Sequence, residues 1–213
     1  MLDSSGQLNQ VDQIKSREQW KQLKDTYQSL GFRVHTLEAQ EKLPDMVFAA
    51  NQSFPFWNQQ ANRPAVVLSR MRSEFRQGEV PFFKEIYQRM EYQIYELSGK
   101  NNFEGNGDAL FRPQRSEIWG GFGYRTDLEV YGELSQITGY KVIPLRLVSE
   151  HFYHLDTCFS FLDENTVAVV REAFDEESWN RIKAAFSRIV EINKTEALNF
   201  FAANCHCPDG RHV

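Results

Sequence analysis

The sequence of 213 residues has only three cysteines, too few and too unevenly spaced for a disulfide framework. No apolar run approaches the length of a membrane span. A net charge of −5 provides no broad basic surface for nucleic acid. The polar residues 1–12 lack the basic and then apolar pattern of a secretion signal. We therefore expect a cytoplasmic protein with neither a membrane nor a nucleic acid as partner.

What the sequence does contain is typical of a folded α/β chain, with 41% hydrophobic residues and seventeen phenylalanines. No low-complexity linker divides it, so residues 1–213 are predicted to form one domain. Apolar periodicity predicts helices and strands in alternation. The predicted helices cover residues 16–30, 81–97, 126–138 and 175–190, and the predicted strands cover residues 32–37, 44–54, 64–69, 118–125, 139–145, 152–162 and 166–170.

A weak internal repeat supports this alternation. A helix followed by Gly31, Phe32, Arg33 and Val34 resembles a later helix followed by Gly139-Tyr140-Lys141-Val142. Such a repeat indicates modules of strands and helices rather than one continuous sheet.

Residues 152–162, FYHLDTCFSFL, carry a histidine and an aspartate inside an otherwise apolar stretch. If the stretch is a strand, His154 and Asp156 lie on the same face, roughly 6.5–7 Å apart. Each needs a partner when buried, because an unpaired buried charge is unfavourable. The pair is either an internal ion pair or part of a functional site.

Other carboxylates occupy similar settings. Asp45 precedes an apolar stretch, and Glu104 and Asp108 flank glycines that allow close backbone approach. Carboxylates that converge on one pocket repel one another unless a cation lies among them. A metal ion, a protein arginine or a cationic ligand would serve. A guanidinium suits carboxylates well, because it pairs with them through two parallel hydrogen bonds.

Five motifs occur in one order along the chain: PDMVFAAN, RMRSEFRQGE, FEGNGDALF, GFGYRTD and HLDTCF. Together they resemble the guanidino-group-modifying (pentein) superfamily, and most closely its dimethylarginine dimethylaminohydrolase-like and arginine deiminase-like members. The resemblance covers residues 8–204. It implies a five-bladed, pseudo-symmetric α/β propeller built from ββαβ modules around a polar centre.

The resemblance also implies a mechanism and a set of site residues. A cysteine thiolate attacks the guanidinium carbon of an arginine-like substrate, and a histidine acts as general acid and then as base. No metal or other cofactor takes part, and a homo-oligomer is left open. By similarity, the catalytic residues are His154, Glu104 and Asp156, and the substrate-binding residues are Asp45, Asp108, Arg70, Arg125 and Asn51.

Two departures from the family pattern concern the ends of the chain. The family nucleophile lies in a late G-G-x-x-C segment that this sequence does not contain, and an early strand is also missing. The interpretation is a propeller incomplete at one or both termini, with the terminal module partly missing, and we expect this chain to be inactive. Cys158, Cys205 and Cys207 are interpreted as structural or incidental residues.

Two alternatives remain beside the cysteine-type hydrolase. One is a non-catalytic module that binds a guanidino ligand through the same carboxylates. The other is a hydrolase in which Asp, Glu and His bind a divalent metal. The motifs do not decide whether ammonia, a methylamine or an amidino group leaves.

Overall fold

The computed structural model describes residues 11–209 and 212, and its contacts divide the chain into two units between Glu38 and Ala39. In the first unit, helix α1 spans Gln13–Ser29. Asp12 caps it by accepting the backbone N–H groups of Ile14 and Lys15. The predicted start of this helix at residue 16 is therefore wrong, because the helix begins three residues earlier. Residues 32–37 contain no strand, so the predicted first copy of the repeat is also wrong.

The second unit begins with a module of two antiparallel strands, two helices and a parallel strand. Strands β1 (Ser53–Asn58) and β2 (Arg63–Leu68) form the hairpin. Helices α2 (Glu74–Gln77) and α3 (Val80–Arg89) then lead to β3 (Gln93–Tyr95), which pairs with β2 in parallel. The helix predicted over residues 81–97 thus ends early, since its last apolar residues belong to β3.

The next module repeats this order. A single turn, α4 (Gly105–Asp108), leads into β4 (Ala109–Phe111), and β4 pairs antiparallel with β5 (Glu117–Phe122). Helix α5 (Val130–Thr138) ends at Gly139, whose left-handed φ of 75° terminates the helix. Strand β6 (Lys141–Arg146) then returns parallel to β5.

A third module follows the same plan. Strands β7 (Phe159–Phe161) and β8 (Thr166–Val169) are antiparallel, and helix α6 (Glu176–Ala185) connects β8 to the parallel β9 (Arg188–Glu191). Helix α7 (Lys194–Phe200) comes after it. The described residues thus contain three sheets of three strands each, and the predicted ββαβ module is confirmed.

Aromatic side chains pack the modules against one another. Phe54 of the first module stacks on Phe111 of the second with ring centroids 4.9 Å apart. Trp119 of the second module lies 5.8 Å from Phe159 and 5.0 Å from Phe186 of the third. Such pairs add stability beyond the area they bury. The high phenylalanine content therefore serves the contacts between modules.

Two predicted strands are wrong in ways that matter for the site. Residues 44–54 begin with a 3-10 turn, Pro44–Val47, and the strand starts only at Ser53. Of residues 152–162, only Phe159–Phe161 form a strand, and Leu155–Thr157 form a 3-10 turn. His154 and Asp156 therefore do not share a strand face. The reason is that the backbone N–H of Leu155 bonds to the Asp108 carboxylate instead of to a neighbouring strand.

Among the described residues, no helix is both long enough and apolar enough to cross a membrane.

Gly121 offers a test of the packing beneath the 3-10 turn. A Cβ added there would lie 2.8 Å from Leu155 Cβ and 3.3 Å from Asp108 Oδ1. We expect Gly121→Ala to lower the free energy of unfolding by about 1–3 kcal/mol through overpacking, measured by urea denaturation. In the control, Gly132→Ala, the new methyl meets nothing within 4 Å on helix α5. That variant should gain about 0.5–1 kcal/mol, and equal effects of the two substitutions would contradict the packing.

Candidate active site

The candidate site forms where loops of the second and third modules meet. Glu104 directly precedes α4, Arg125 and Thr126 follow β5, and His154 lies just before the 3-10 turn that leads to β7. Glu104 and His154 are buried residues, with 0% and 5% of their surface exposed. The fold therefore brings together polar residues that are far apart in the sequence.

The contact at the centre of this site joins Glu104 and His154. Glu104 Oε2 lies 2.6 Å from His154 Nε2. Its other oxygen, Oε1, accepts the backbone N–H of Arg72 at 3.0 Å, and Arg125 Nη1 lies 3.7 Å from Oε2. A buried carboxylate with this many partners is held in one orientation.

The pKa values of the two residues change in opposite directions. Burial raises the pKa of Glu104, but the bond to His154 and the nearby positive charges outweigh it, so the pKa lies below its ordinary value. Burial lowers the pKa of His154, but Glu104 and the charges of Asp108 and Asp156 raise it above its ordinary value. Both directions favour an imidazolium paired with a carboxylate.

Asp108 is the second buried carboxylate, with 1% of its surface exposed. Oδ2 accepts the Thr126 hydroxyl at 2.7 Å, and Oδ1 accepts the backbone N–H of Leu155 at 3.0 Å. Burial raises its pKa to about 6, against the opposing charge of His154. Both carboxylate oxygens are therefore engaged within the protein.

Asp156 follows His154 in the 3-10 turn and is half-buried. Its backbone carbonyl accepts the Asn204 side-chain amide at 2.7 Å. Burial, opposed by His154 and reinforced by Asp108, raises the pKa of its carboxyl to about 7. Of the three buried or half-buried carboxyl groups of the site, Asp156 therefore has the highest pKa, so its ionised form is the least favoured.

Asn51 reaches the same region from the loop before β1. A Cβ at Gly107 would lie 2.1 Å from Asn51 Nδ2 and 3.4 Å from His154 Cδ2, so only glycine fits there. Arg76 Nη1 donates to Asn51 Oδ1 at 3.0 Å and fixes the orientation of the amide. The structure thus places Asn51, Gly107 and His154 side by side.

Three further predicted site residues have distinct surroundings. Arg125 is partly exposed beside Glu104, and its guanidinium lies 4.7 Å from the centre of the Tyr153 ring. Asp45 is exposed in its 3-10 turn, and its backbone carbonyl accepts a hydrogen bond from Arg76. Arg70 donates to the carbonyls of Leu97, Gly99 and Asn101. The substrate contacts predicted for Asp45 and Arg70 stay predictions, because none of these bonds joins either residue to His154 or Glu104.

Sequence reasoning missed the residues that hold the site in place. Arg76 is buried and bonds to Glu79, to Asn51 and to the carbonyls of the loop before β1. Thr126 links Asp108 to the backbone of Glu104. The motif GFGYRTD contains Thr126 directly after Arg125, but a threonine beside an arginine carries no distinctive signal.

Cys158 borders this contact network, since its thiol contacts the backbone carbonyls of His154 at 3.8 Å and of Leu155 at 3.5 Å. Cys158 is fully buried, and burial together with nearby carboxylates raises its pKa well above the ordinary value. Cys207 Sγ lies 3.1 Å from the Leu162 carbonyl. In the described part of the chain, no three His, Cys, Asp or Glu residues are grouped to hold a metal ion.

Comparison with known proteins identifies a family for the chain. A family model described as N,N dimethylarginine dimethylhydrolase, eukaryotic, matches residues 2–206. The chain belongs to this dimethylarginine hydrolase family. Members of the family are hydrolases that act on guanidino groups.

Individual members and relatives resemble the chain over most of its length. The bifunctional arginine dihydrolase/ornithine cyclodeaminase ArgZ of Synechocystis is 34% identical over 92% of this chain and 27% of its own. The dimethylarginine dimethylaminohydrolase of Mycobacterium tuberculosis is 32% identical over 89% of this chain and 60% of its own. This dimethylarginine hydrolase family chain thus spans less than two thirds of either protein.

A solved structure extends the comparison to the fold. The N-terminal domain of ArgZ, crystallised as a cysteine-to-serine variant with substrate bound, matches with a TM-score of 0.86 and 33% identity. The match covers 96% of this chain and 74% of that one. The predicted fold class, an α/β propeller of the pentein type, is therefore confirmed.

The raised pKa of Asp156 predicts a pH-dependent stability. Its folded pKa of about 7 exceeds the ordinary 3.8, so the native state binds this proton more tightly than the unfolded chain does. The resulting stabilisation is complete below the ordinary pKa and is lost as the pH rises to about 7. In Asp156→Asn, the fall in unfolding free energy between pH 4 and 7 should shrink by about 1 kcal/mol or more.

Asp163→Asn is the matched control for that experiment. Hydrogen bonds from Thr166 and from the Asn165 backbone lower the pKa of Asp163, so its stabilisation is lost only as the pH falls. Urea denaturation across the pH range should show an unchanged slope between pH 4 and 7 for this variant. A wild-type slope in Asp156→Asn would contradict the assignment.

Proposed function

We propose that the protein hydrolyses a C–N bond of the guanidino group in an arginine-like substrate, in the manner of a dimethylarginine dimethylaminohydrolase. The observation that carries the proposal is the buried His154–Glu104 pair, 2.6 Å apart, with Asn51 and Arg125 beside it. The family membership and the substrate-bound structure of ArgZ support it.

His154 is proposed as the acid–base residue. A cysteine thiolate forms a C–S bond to the guanidinium carbon, and the departing amine takes a proton from the imidazolium as the C–N bond breaks. A water molecule then gives a proton to the imidazole and attacks the same carbon, and the C–S bond breaks to release the thiolate. The raised pKa of His154 supports its protonated form at the first step.

Carboxylates are proposed to bind the guanidinium. Asp156 is half-buried next to His154, and a positive ligand beside it would restore its ionised form. Asp45 is the second proposed carboxylate, and Asn51 is proposed to donate its Nδ2 to the ligand. We propose that Arg125 binds the substrate's α-carboxylate, because it is partly exposed and a guanidinium can pair with a carboxylate through two parallel hydrogen bonds.

The nucleophile is proposed to be a cysteine other than the three in this sequence. Cys158 is unsuited to the role, because its burial and its raised pKa disfavour the thiolate. The described thiols are free and form no disulfide, which supports the proposed cytoplasmic location. On this view, the 213-residue chain binds an arginine-like ligand but needs an additional thiol for turnover.

A guanidino-binding protein without turnover is the second candidate, and the burial of Cys158 favours it. Calorimetry or thermal shift with arginine and dimethylarginine, together with assays for released ammonia and dimethylamine, separates the two. Because turnover needs the additional thiol, release is assayed in the protein supplied with its cysteine nucleophile. Binding without release there supports the second candidate, whereas release supports the hydrolase. Absence of both would contradict both candidates.

The role of Arg125 is tested with two ligands, arginine and agmatine, which is arginine without its carboxylate. Arg125→Ala should weaken arginine binding by about 10- to 100-fold, because a charge-assisted pair is lost, and agmatine binding by about twofold at most. Arg115→Ala is the control, since Arg115 pairs on the surface with Glu164. Titration calorimetry measures both ligands, and an equal loss for arginine and agmatine would show that Arg125 does not contact the carboxylate.

The acid–base role of His154 is tested by measuring turnover in a form of the protein that contains the proposed cysteine nucleophile. His154→Ala should reduce kcat by about 100- to 10,000-fold, because no other group provides the proton at that position. The covalent adduct should form slowly or remain trapped, as mass spectrometry would detect. His151→Ala, on an exposed residue of the same loop, should retain activity. Unchanged kinetics in His154→Ala would refute the role.

A further inference from the structure

The hydrogen bonds around Asp108 suggest that it does something other than bind substrate. It is 1% exposed, and its two carboxylate oxygens accept the Thr126 hydroxyl and the Leu155 backbone N–H. At 1% exposure the carboxylate presents almost no surface to a ligand, so a direct substrate contact would require the surrounding structure to move. The carboxylate is thus placed to hold structure.

Thr126 connects this carboxylate to the other half of the site. Its hydroxyl donates to Asp108 Oδ2 at 2.7 Å and accepts the backbone N–H of Glu104 at 3.1 Å. Thr126 is itself 1% exposed, so water does not compete for these bonds. The Thr126 hydroxyl therefore links Glu104, which precedes α4, to Asp108, which ends α4.

The hydrogen bonds of Asp108 and Thr126 reach both members of the His154–Glu104 pair. Asp108 holds the turn that begins directly after His154, and Thr126 holds the backbone of Glu104. We propose that Thr126 and Asp108 are positioning residues that set the distance between Glu104 and His154. The proposal rests on the proposed function for its catalytic meaning, but the geometry it describes is testable without turnover.

A second observation is the close packing around Asp108. Gly121 leaves no room for a Cβ between Leu155 and Asp108, and the Tyr131 hydroxyl lies within hydrogen-bond distance of the carbonyl oxygens of both Asp108 and Gly121. Asp108 is thus held through its backbone as well as through its side chain. A rigid support of this kind is what a close acid–base pair requires, because small displacements weaken catalysis.

The test substitutes Thr126 and reads the titration of His154 by NMR. The charged groups facing the imidazole are Glu104, Asp108 and Asp156, with Arg125 next to Glu104. Thr126→Val removes the hydroxyl but retains the shape, so Glu104 should lose its fixed position. We expect the pKa of His154 to fall by about half a unit or more, because the hydrogen bond that raises it becomes longer.

Thr138→Val is the matched control. Thr138 is also a buried threonine whose hydroxyl donates to one oxygen, on Leu134, and accepts one backbone N–H, from Tyr140. It lies at the end of α5, outside the site network. The two variants should lose similar stability, but only Thr126→Val should change the His154 titration. A change of equal size in both, or in neither, overturns the proposal.

Two further variants complete the experiment. Thr126→Ser keeps the hydroxyl and should titrate like the wild type even if Thr126→Val does not fold, and a lowered His154 pKa in the serine variant contradicts the proposal. In a Glu104→Gln background, adding Thr126→Val should lower the pKa of His154 less than it does alone. An undiminished effect would show that Thr126 acts through the charge of Asp108 and not through Glu104.

Failure of the proposed function leaves this test intact. If no variant binds or hydrolyses a guanidino compound, the His154 titrations still decide whether Thr126 and Asp108 position the pair. Conversely, an unchanged titration in Thr126→Val alongside normal turnover in the enzyme would reject the positioning role alone.

Discussion

The hydrogen bond between His154 and Glu104 is the interaction on which the site depends. Both side chains are buried, so each would be costly without the other. The Glu104 carboxylate offsets the cost of burying the imidazolium. The backbone N–H of Arg72 and the cation of Arg125 offset the cost of burying the carboxylate. The pair lies at the junction of two modules, and its geometry therefore depends on how those modules pack.

Buried aromatic rings carry that packing, whereas ion pairs between modules, such as Arg115 with Glu164, are partly exposed. The second module contacts the first through Phe54 and Phe111 and the third through Trp119, Phe159 and Phe186. Buried aromatic contacts resist sliding, because protein interiors are densely packed. The loops that carry Glu104, Arg125 and His154 extend from these packed elements. The rigid packing of these elements therefore fixes the positions of the site residues.

Much of this organisation could be predicted from the sequence. The alternation of strands and helices predicted the α/β class. The ordered motifs, through the family resemblance, predicted the ββαβ module and named both His154 and Glu104 as catalytic residues. The failures share a cause, because apolar periodicity cannot distinguish a strand from an extended loop with side-chain partners. The turn after His154 depends on Asp108, which is 47 positions away from Leu155 in sequence. No local pattern contains that bond.

The same limit explains why the roles of the acids were hard to assign. In FEGNGDALF, Glu104 and Asp108 look equivalent, yet one pairs with His154 and the other accepts a hydroxyl and a backbone N–H. What separates them is the partner each finds in the fold, not the residue type. Asp156 differs again, because burial raises its pKa to about 7 and few bonds oppose that effect. A cation entering beside it would displace its proton, so that ligand binding and ionisation of the site would be coupled.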